Sequence, residues 1–134
     1  MDIGIDLGTS EAKVVLLDDA QRVVGQARSA IKISRPHTLW SEQDPQEWWS
    51  ATVLALGKLR EQHPKEYAAV RGIGLSGQMH GATLLDAQDR VLRPAILWND
   101  GRSHAECTEL ERRAPYSRRI TGNIAMPGFT APKL

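Results

Sequence analysis

The sequence predicts an α/β layer fold, and three observations carry that expectation. Three short apolar segments separated by turn signals precede residue 34, one strongly marked helix follows Asp44, and strand-like segments return from Val70 onward. Strands, a helix and strands again describe a sheet with covering helices. Residues 3–7 read as a strand that stops at Gly8-Thr9-Ser10, a turn signal. Residues 13–17 are apolar and partly β-branched, as a largely buried strand is, and Asp18-Asp19-Ala20-Gln21 then turns the chain. Residues 23–33 continue as a looser third strand through Val24, Ala27 and Ile31. Tight connections between all three are most simply an antiparallel meander.

Residues 34–42 form a connection containing Pro36, His37 and Trp40. Asp44-Pro45-Gln46-Glu47 then opens a helix, with Asp44 as cap, Pro45 at the first helical position and Glu47 completing a capping box. Trp49, Thr52, Val53, Leu56 and Leu59 make its expected buried stripe, Gln46, Ser50, Lys58 and Glu61 face away, and Pro64 bounds it. Residues 70–75 are a strand candidate, as are 82–85 and 93–98 with a turn at 86–90. Residues 103–113 read as a weaker helix with Cys107, Leu110 and Ala114 on its apolar side. Thr130-Ala131-Pro132-Lys133-Leu134 has the capping threonine and early proline of a starting helix. The expectation is the front of a longer protein, the other reading being a frayed tail.

Composition narrows the function. Hydrophobic residues at 41% and charged residues at 25% are a globular mix, and 134 residues suffice for an independent core. Seventeen Lys and Arg against sixteen Asp and Glu give a net charge of +1, so no electrostatic reason exists for nucleic acid or an anionic membrane as main partner. The lone Cys107 excludes an internal disulfide and a multi-thiolate zinc site. Asp2 and Asp6 stand where a secretion signal needs positive charge, and no apolar run reaches the roughly 18 residues of a membrane span. The expected setting is cytoplasmic.

Two segments carry suggestive chemistry. Asp6 ends a strand, where an acid can hold a metal through its water shell, and Gly8-Thr9-Ser10 can present backbone N–H groups to phosphate oxygens, with Lys13 adding a cation. The same residues also suit a plain hairpin turn. Gln78-Met79-His80, before Gly81, can offer hydrogen bonds to hydroxyls and a soft surface to a carbon skeleton, or can hold a structural histidine. Asp100 and Arg102 can brace a loop as an ion pair. Gly72-Ile73-Gly74-Leu75-Ser76-Gly77 has dinucleotide-loop spacing, but the strand lies within the glycines rather than before them. Small residues where another backbone comes close are the simpler account. His37, His63 and His104 are scattered and read as no ligand.

Together these segments resemble the FGGY carbohydrate kinases over nearly the whole chain. The resemblance rests on Ile3-Gly4-Ile5-Asp6-Leu7-Gly8-Thr9-Ser10, Leu39-Trp40-Ser41-Glu42-Gln43-Asp44-Pro45 with Trp48-Trp49, and Gly77-Gln78-Met79-His80-Gly81-Ala82-Thr83-Leu84-Leu85-Asp86. It also takes in Arg93-Pro94-Ala95-Ile96-Leu97-Trp98-Asn99-Asp100-Gly101-Arg102 and Ile120-Thr121-Gly122-Asn123. The first stretch is shared with the wider sugar kinase, actin and Hsp70 superfamily, and Gln78-Met79-His80-Gly81 is similar to the members acting on D-xylulose.

The resemblance implies a ribonuclease-H-like domain with a mixed sheet, of which residues 1–134 are the N-terminal part. The rest of that domain and a second one would lie elsewhere in the protein. It implies transfer of the ATP γ-phosphoryl group to D-xylulose, giving D-xylulose 5-phosphate in xylose catabolism. Asp6 would organise magnesium and ATP, Gly8, Thr9, Ser10 and Lys13 would bind phosphate, and Met79, His80, Gln78 and Asp100 would bind the sugar. The general base would lie beyond residue 134, leaving this stretch inactive alone, and the full protein is compatible with a homodimer. Other expectations kept open are a related kinase for another ketose or polyol, a non-kinase ATP-binding relative, a dinucleotide oxidoreductase resting on the 72–77 glycines, and a non-catalytic module pairing through Trp48-Trp49. Glu11 departs from the family pattern, where a small neutral residue is expected, and a carboxylate there would repel a triphosphate.

Overall fold

Alternation dictates the first strands of the computed structural model, which describes residues 1–134. Strands β1 (Asp2–Leu7), β2 (Glu11–Leu17) and β3 (Val23–Ala30) form the expected meander. In β2, Ala12, Val14 and Leu16 are fully buried and the residues between them half-buried, the period-two signature of a strand with one face on a core. Short β4 (Glu42–Gln43) precedes helices α1 (Pro45–Gln62) and α2 (Pro64–Ala68). Strand β5 (Gly72–Gly77), short β6 (Ala95–Ile96), and helices α3 (His104–Arg113) and α4 (Ser117–Thr121) follow, with a 3₁₀ turn at Ala131–Lys133. The principal sheet runs β3-β2-β1-β5, with β1 antiparallel to β2 and parallel to β5. The outer edge of β5 therefore has no neighbouring strand.

The chain divides into two units, Met1–Lys32 with Gln46–Gln78, and Ile33–Pro45 with Met79–Leu134. In the first, Ile3, Val14, Leu16 and Ala27 from the sheet meet Ala55 and Leu59 of α1. Helix α1 begins at Pro45 as expected, but its buried face is Ala51, Ala55 and Leu59. Trp49 and Val53, expected inside, are exposed, while Thr52 and Leu56 are half-buried. Alanines four residues apart let the helix lie close to the sheet, whereas the larger side chains sit beside the contact line. The Gly72 to Gly77 hexad is itself strand β5, with no helix opening after it, which removes the dinucleotide-loop reading. A Cβ on Gly77 would come within 3.0 Å of the Leu7 carbonyl oxygen, so close approach explains that glycine. Gly74 has open space instead.

The second unit has little regular structure. The expected strands over 82–85 and 93–98 shrink to the two-residue β6 and isolated bridges Ala82 to Ile96 and Leu85 to Val91. Strand β6 pairs with β4, which starts on the last residue of the stretch expected to be a plain connection. Its interior combines Ala82, Ala95, Ile96, Leu97 and Cys107 with buried polar residues Ser41, Glu42, Gln43, Asp100 and Ser103. Helix α4 ends at Gly122, whose positive φ of 70° and N–H bond to the Arg118 carbonyl are those of a glycine stop. Thr130 makes no side-chain cap, and one 3₁₀ turn stands where a helix opening was expected.

Candidate functional site

The β1–β2 turn is built by its own backbone. The Gly8 N–H donates to the Glu11 carbonyl at 3.0 Å, closing the hairpin, so this donor is already spent within the turn. A Cβ on Gly8 would lie 3.1 Å from that same oxygen, which favours glycine there. Ser10 is exposed and its carbonyl accepts from Ile31 N–H at 2.9 Å, tying the turn to the chain after β3. The Thr9 hydroxyl donates to Gln78 Oε1 at 3.0 Å, and Gln78 N–H donates to the Leu7 carbonyl at 2.8 Å. The end of β5 is thus fastened to the turn by a side chain and a main-chain bond.

Alternation sets the chemistry of the sheet's other face. Asp6 lies opposite Lys13 on β2 and Ser76 on β5, and Gly4 lies opposite Val15 and Gly74. All six line an open groove of about 340 Å³ on the side away from the Ile3, Val14 and Leu16 core. Glycines at 4 and 74 leave its floor low, and the exposed Asp6 and its cross-strand neighbour Lys13 both line it. Glu11, the expected source of repulsion, meets a cation: Arg28 Nη1 lies 3.3 Å from its Oε1.

In the second unit, Met79 is exposed, with 67% of its surface accessible. His80 is half-buried, with its backbone at φ 63°. Its carbonyl accepts from Lys133 Nζ at 2.7 Å, and its ring centroid lies 4.9 Å from that of Phe129. The imidazole borders a cavity of about 380 Å³ that also touches Leu110, Thr121, Asn123, Phe129 and Pro132.

Asp100 has a different setting. It is 3% exposed, and its oxygens accept from Ser41 N–H at 2.6 Å, Arg102 N–H at 2.9 Å and the Arg102 guanidinium at 2.6 Å. Burial opposes ionisation, but the Arg102 side chain and the two backbone donors outweigh it and hold the carboxyl below its usual range. Arg102 also reaches Glu42 at 2.9 Å and lies 3.6 Å from the Trp40 ring centroid. Burial alone would lower its pKa, but Asp100 and Glu42 raise it. Of the two roles open to Asp100 in the sequence, this geometry is that of a brace.

The first unit therefore gathers Asp6 and Lys13 at one groove and joins Thr9 to Gln78, while Met79, His80 and Asp100 belong to the second unit. Sequence reasoning missed Arg28, Ser76 and Lys133. Lys13 and Arg28 become neighbours only through strand register, and Lys133 is 53 residues from its acceptor, so no local pattern announces either.

The whole chain, residues 1–134, matches the FGGY family of carbohydrate kinases, N-terminal domain. It is 62% identical over 134 residues to a xylulose kinase of Escherichia coli and 56% identical to one of Klebsiella pneumoniae, covering all of this chain and 27% of each relative. The crystal structure of a xyloylose kinase from Brucella ovis superposes with a TM-score of 0.94 at 60% identity, over 98% of this chain and 28% of that one. The chain thus spans about a quarter of the length of the proteins it matches. The sheet and α1 have the ribonuclease-H-like architecture of these kinases. On the match of every residue to that domain, the chain belongs to the FGGY family of carbohydrate kinases.

Proposed function

We propose that the chain is the N-terminal part of a xylulose kinase, transferring the γ-phosphoryl group of ATP to D-xylulose to give D-xylulose 5-phosphate. The observation that carries this is identity of 62% and 56%, over every residue, to proteins named xylulose kinase. ATP as donor sets the reaction in the cytoplasm.

The residues divide the work by their chemistry. Asp6, exposed at the open groove, would organise the magnesium–ATP complex. A single carboxylate at a groove suits an ion arriving on a triphosphate, because Mg²⁺ keeps most of its waters. No cluster of three or more His, Cys, Asp or Glu side chains is present to cage a bare ion. Bound there, magnesium would neutralise charge on the transferring phosphoryl group. Gly8, Thr9, Ser10 and Lys13 would meet the phosphate oxygens, with the Gly8 amide closing the turn that presents them and Gln78 holding Thr9. Arg28 screens Glu11, so the expected repulsion of ATP is weakened.

Met79 and His80 would hold the ketose, while Asp100 braces the loop before Arg102 rather than touching sugar. The acceptor of the attacking hydroxyl's proton and most of the adenine pocket are assigned to other parts of the protein. This stretch alone is then expected to be inactive.

The test is a coupled ADP-release assay on the full-length protein with D-xylulose, other ketoses and glycerol. D-xylulose giving the highest kcat/KM, with a loss of at least about tenfold in His80→Asn, is the expected result. Preference for another sugar, or no sugar-dependent ADP, overturns it.

A further inference from the structure

We infer that Lys133 is a positioning residue for the sugar site, its ammonium fixing the backbone at His80 so that the imidazole is presented in one orientation. This rests on the assignment of His80 to the ketose.

His80 has φ of 63°, the left-handed region that a non-glycine residue occupies only when its surroundings hold it there. Lys133 Nζ donates to the His80 carbonyl at 2.7 Å and to the Gly128 carbonyl at 2.8 Å. One ammonium thus ties together two backbone oxygens 48 residues apart in the chain. The second anchor is itself confined, because a Cβ on Gly128 would run into the Trp98 carbonyl oxygen. Phe129, next to that anchor, lies against the His80 ring. The same short segment therefore holds His80 by main chain and by side chain. Lys133 sits on a one-turn 3₁₀ helix behind buried Pro132, which limits its own movement. Burial lowers its pKa, against a smaller upward pull from Asp100 and with a smaller downward push from Arg102. The ammonium thus loses solvation and finds two carbonyls in its place.

The experiment is a double-mutant cycle in the full-length enzyme with Lys133→Met, which keeps the stem and removes the donors, and His80→Asn, which tolerates a positive φ. Lys133→Met is expected to raise the KM for D-xylulose about tenfold while leaving that for ATP within about twofold. In the His80→Asn background the same substitution should change the sugar KM less than about twofold. An equal loss in both backgrounds, or an unchanged sugar KM in Lys133→Met, overturns the inference. If His80→Asn itself leaves the sugar KM unchanged, the assignment of His80 fails instead. Should Lys133→Met not fold, Lys133→Gln, which keeps a neutral donor, is read in the same cycle. A crystal structure of the full-length protein with Lys133 Nζ beyond about 3.5 Å from the His80 carbonyl overturns it without any variant.

Discussion

Each of the two units has its own kind of interior. The first buries Ile3, Val14, Leu16, Ala27, Ala55 and Leu59 between a four-stranded sheet and a long helix. The second has short elements, and its interior places Arg102 between Asp100 and Glu42, with Trp40 against the guanidinium. An apolar core is forgiving: shape can relax, and each lost methylene has a modest effect. A buried ion cluster is not, because removing one member leaves the others charged and unpaired. The first unit can therefore tolerate changes in its core while keeping its sheet, whereas a change at Arg102 costs Asp100 and Glu42 their shared partner.

Four substitutions in the 134-residue chain test that contrast. Arg102→Met removes the guanidinium shared by Asp100 and Glu42, leaving Asp100 with backbone donors alone and Glu42 with Arg93 at 3.7 Å, and should destabilise the second unit by about 4 kcal/mol. Hydrogen exchange should then rise over residues 79–134 before it rises in β1 and β2, and uniform loss would mean that the units do not unfold separately. Leu16→Ala should cost about 3 kcal/mol in denaturant titration, from a fully buried position that only partly collapses.

Asp100 brings in pH. Its folded pKa is depressed, so its contribution is fully present well above the unfolded value of 3.8 and is lost as pH falls below 3.8 through the folded value. Asp100→Asn should flatten that acid limb in a pH series of melting curves, and an unchanged limb would remove the cluster from the account of acid unfolding. Trp49→Ser has the smallest expected effect, within about 0.5 kcal/mol, since 69% of the residue is exposed. A larger loss would restore the tryptophan to the buried stripe that the sequence suggested.

What the sequence made legible follows the same division. The meander is legible because residues 13–17 are apolar and partly β-branched and because Asp18 to Gln21 is dense in turn formers. The start of α1 was readable from Asp44-Pro45. Its buried face is not legible from bulk, since Ala51 and Ala55 are buried by being small. The β4–β6 pair carries no alternation, since Glu42 and Gln43 are polar and buried through long-range partners. The Asp6 turn and the Met79-His80 pair are legible in local motifs and the family resemblance, not in periodicity. The positive φ of His80 had only the neighbouring Gly81 as a hint, and Lys133 had none.

Strand β5 has a consequence for handling the molecule. Its outer edge is unpaired, and Ile73 and Leu75 on it are 63% and 80% exposed. A strand with open N–H and C=O groups and apolar side chains is a template on which another copy can add in register. No charged residue or proline interrupts Gly72 to Gly77 to prevent that addition. Preparations of the 134-residue chain should accordingly form edge-to-edge oligomers as concentration rises, and a lysine placed at Gly74, where there is room for a side chain, is the natural gatekeeper against them.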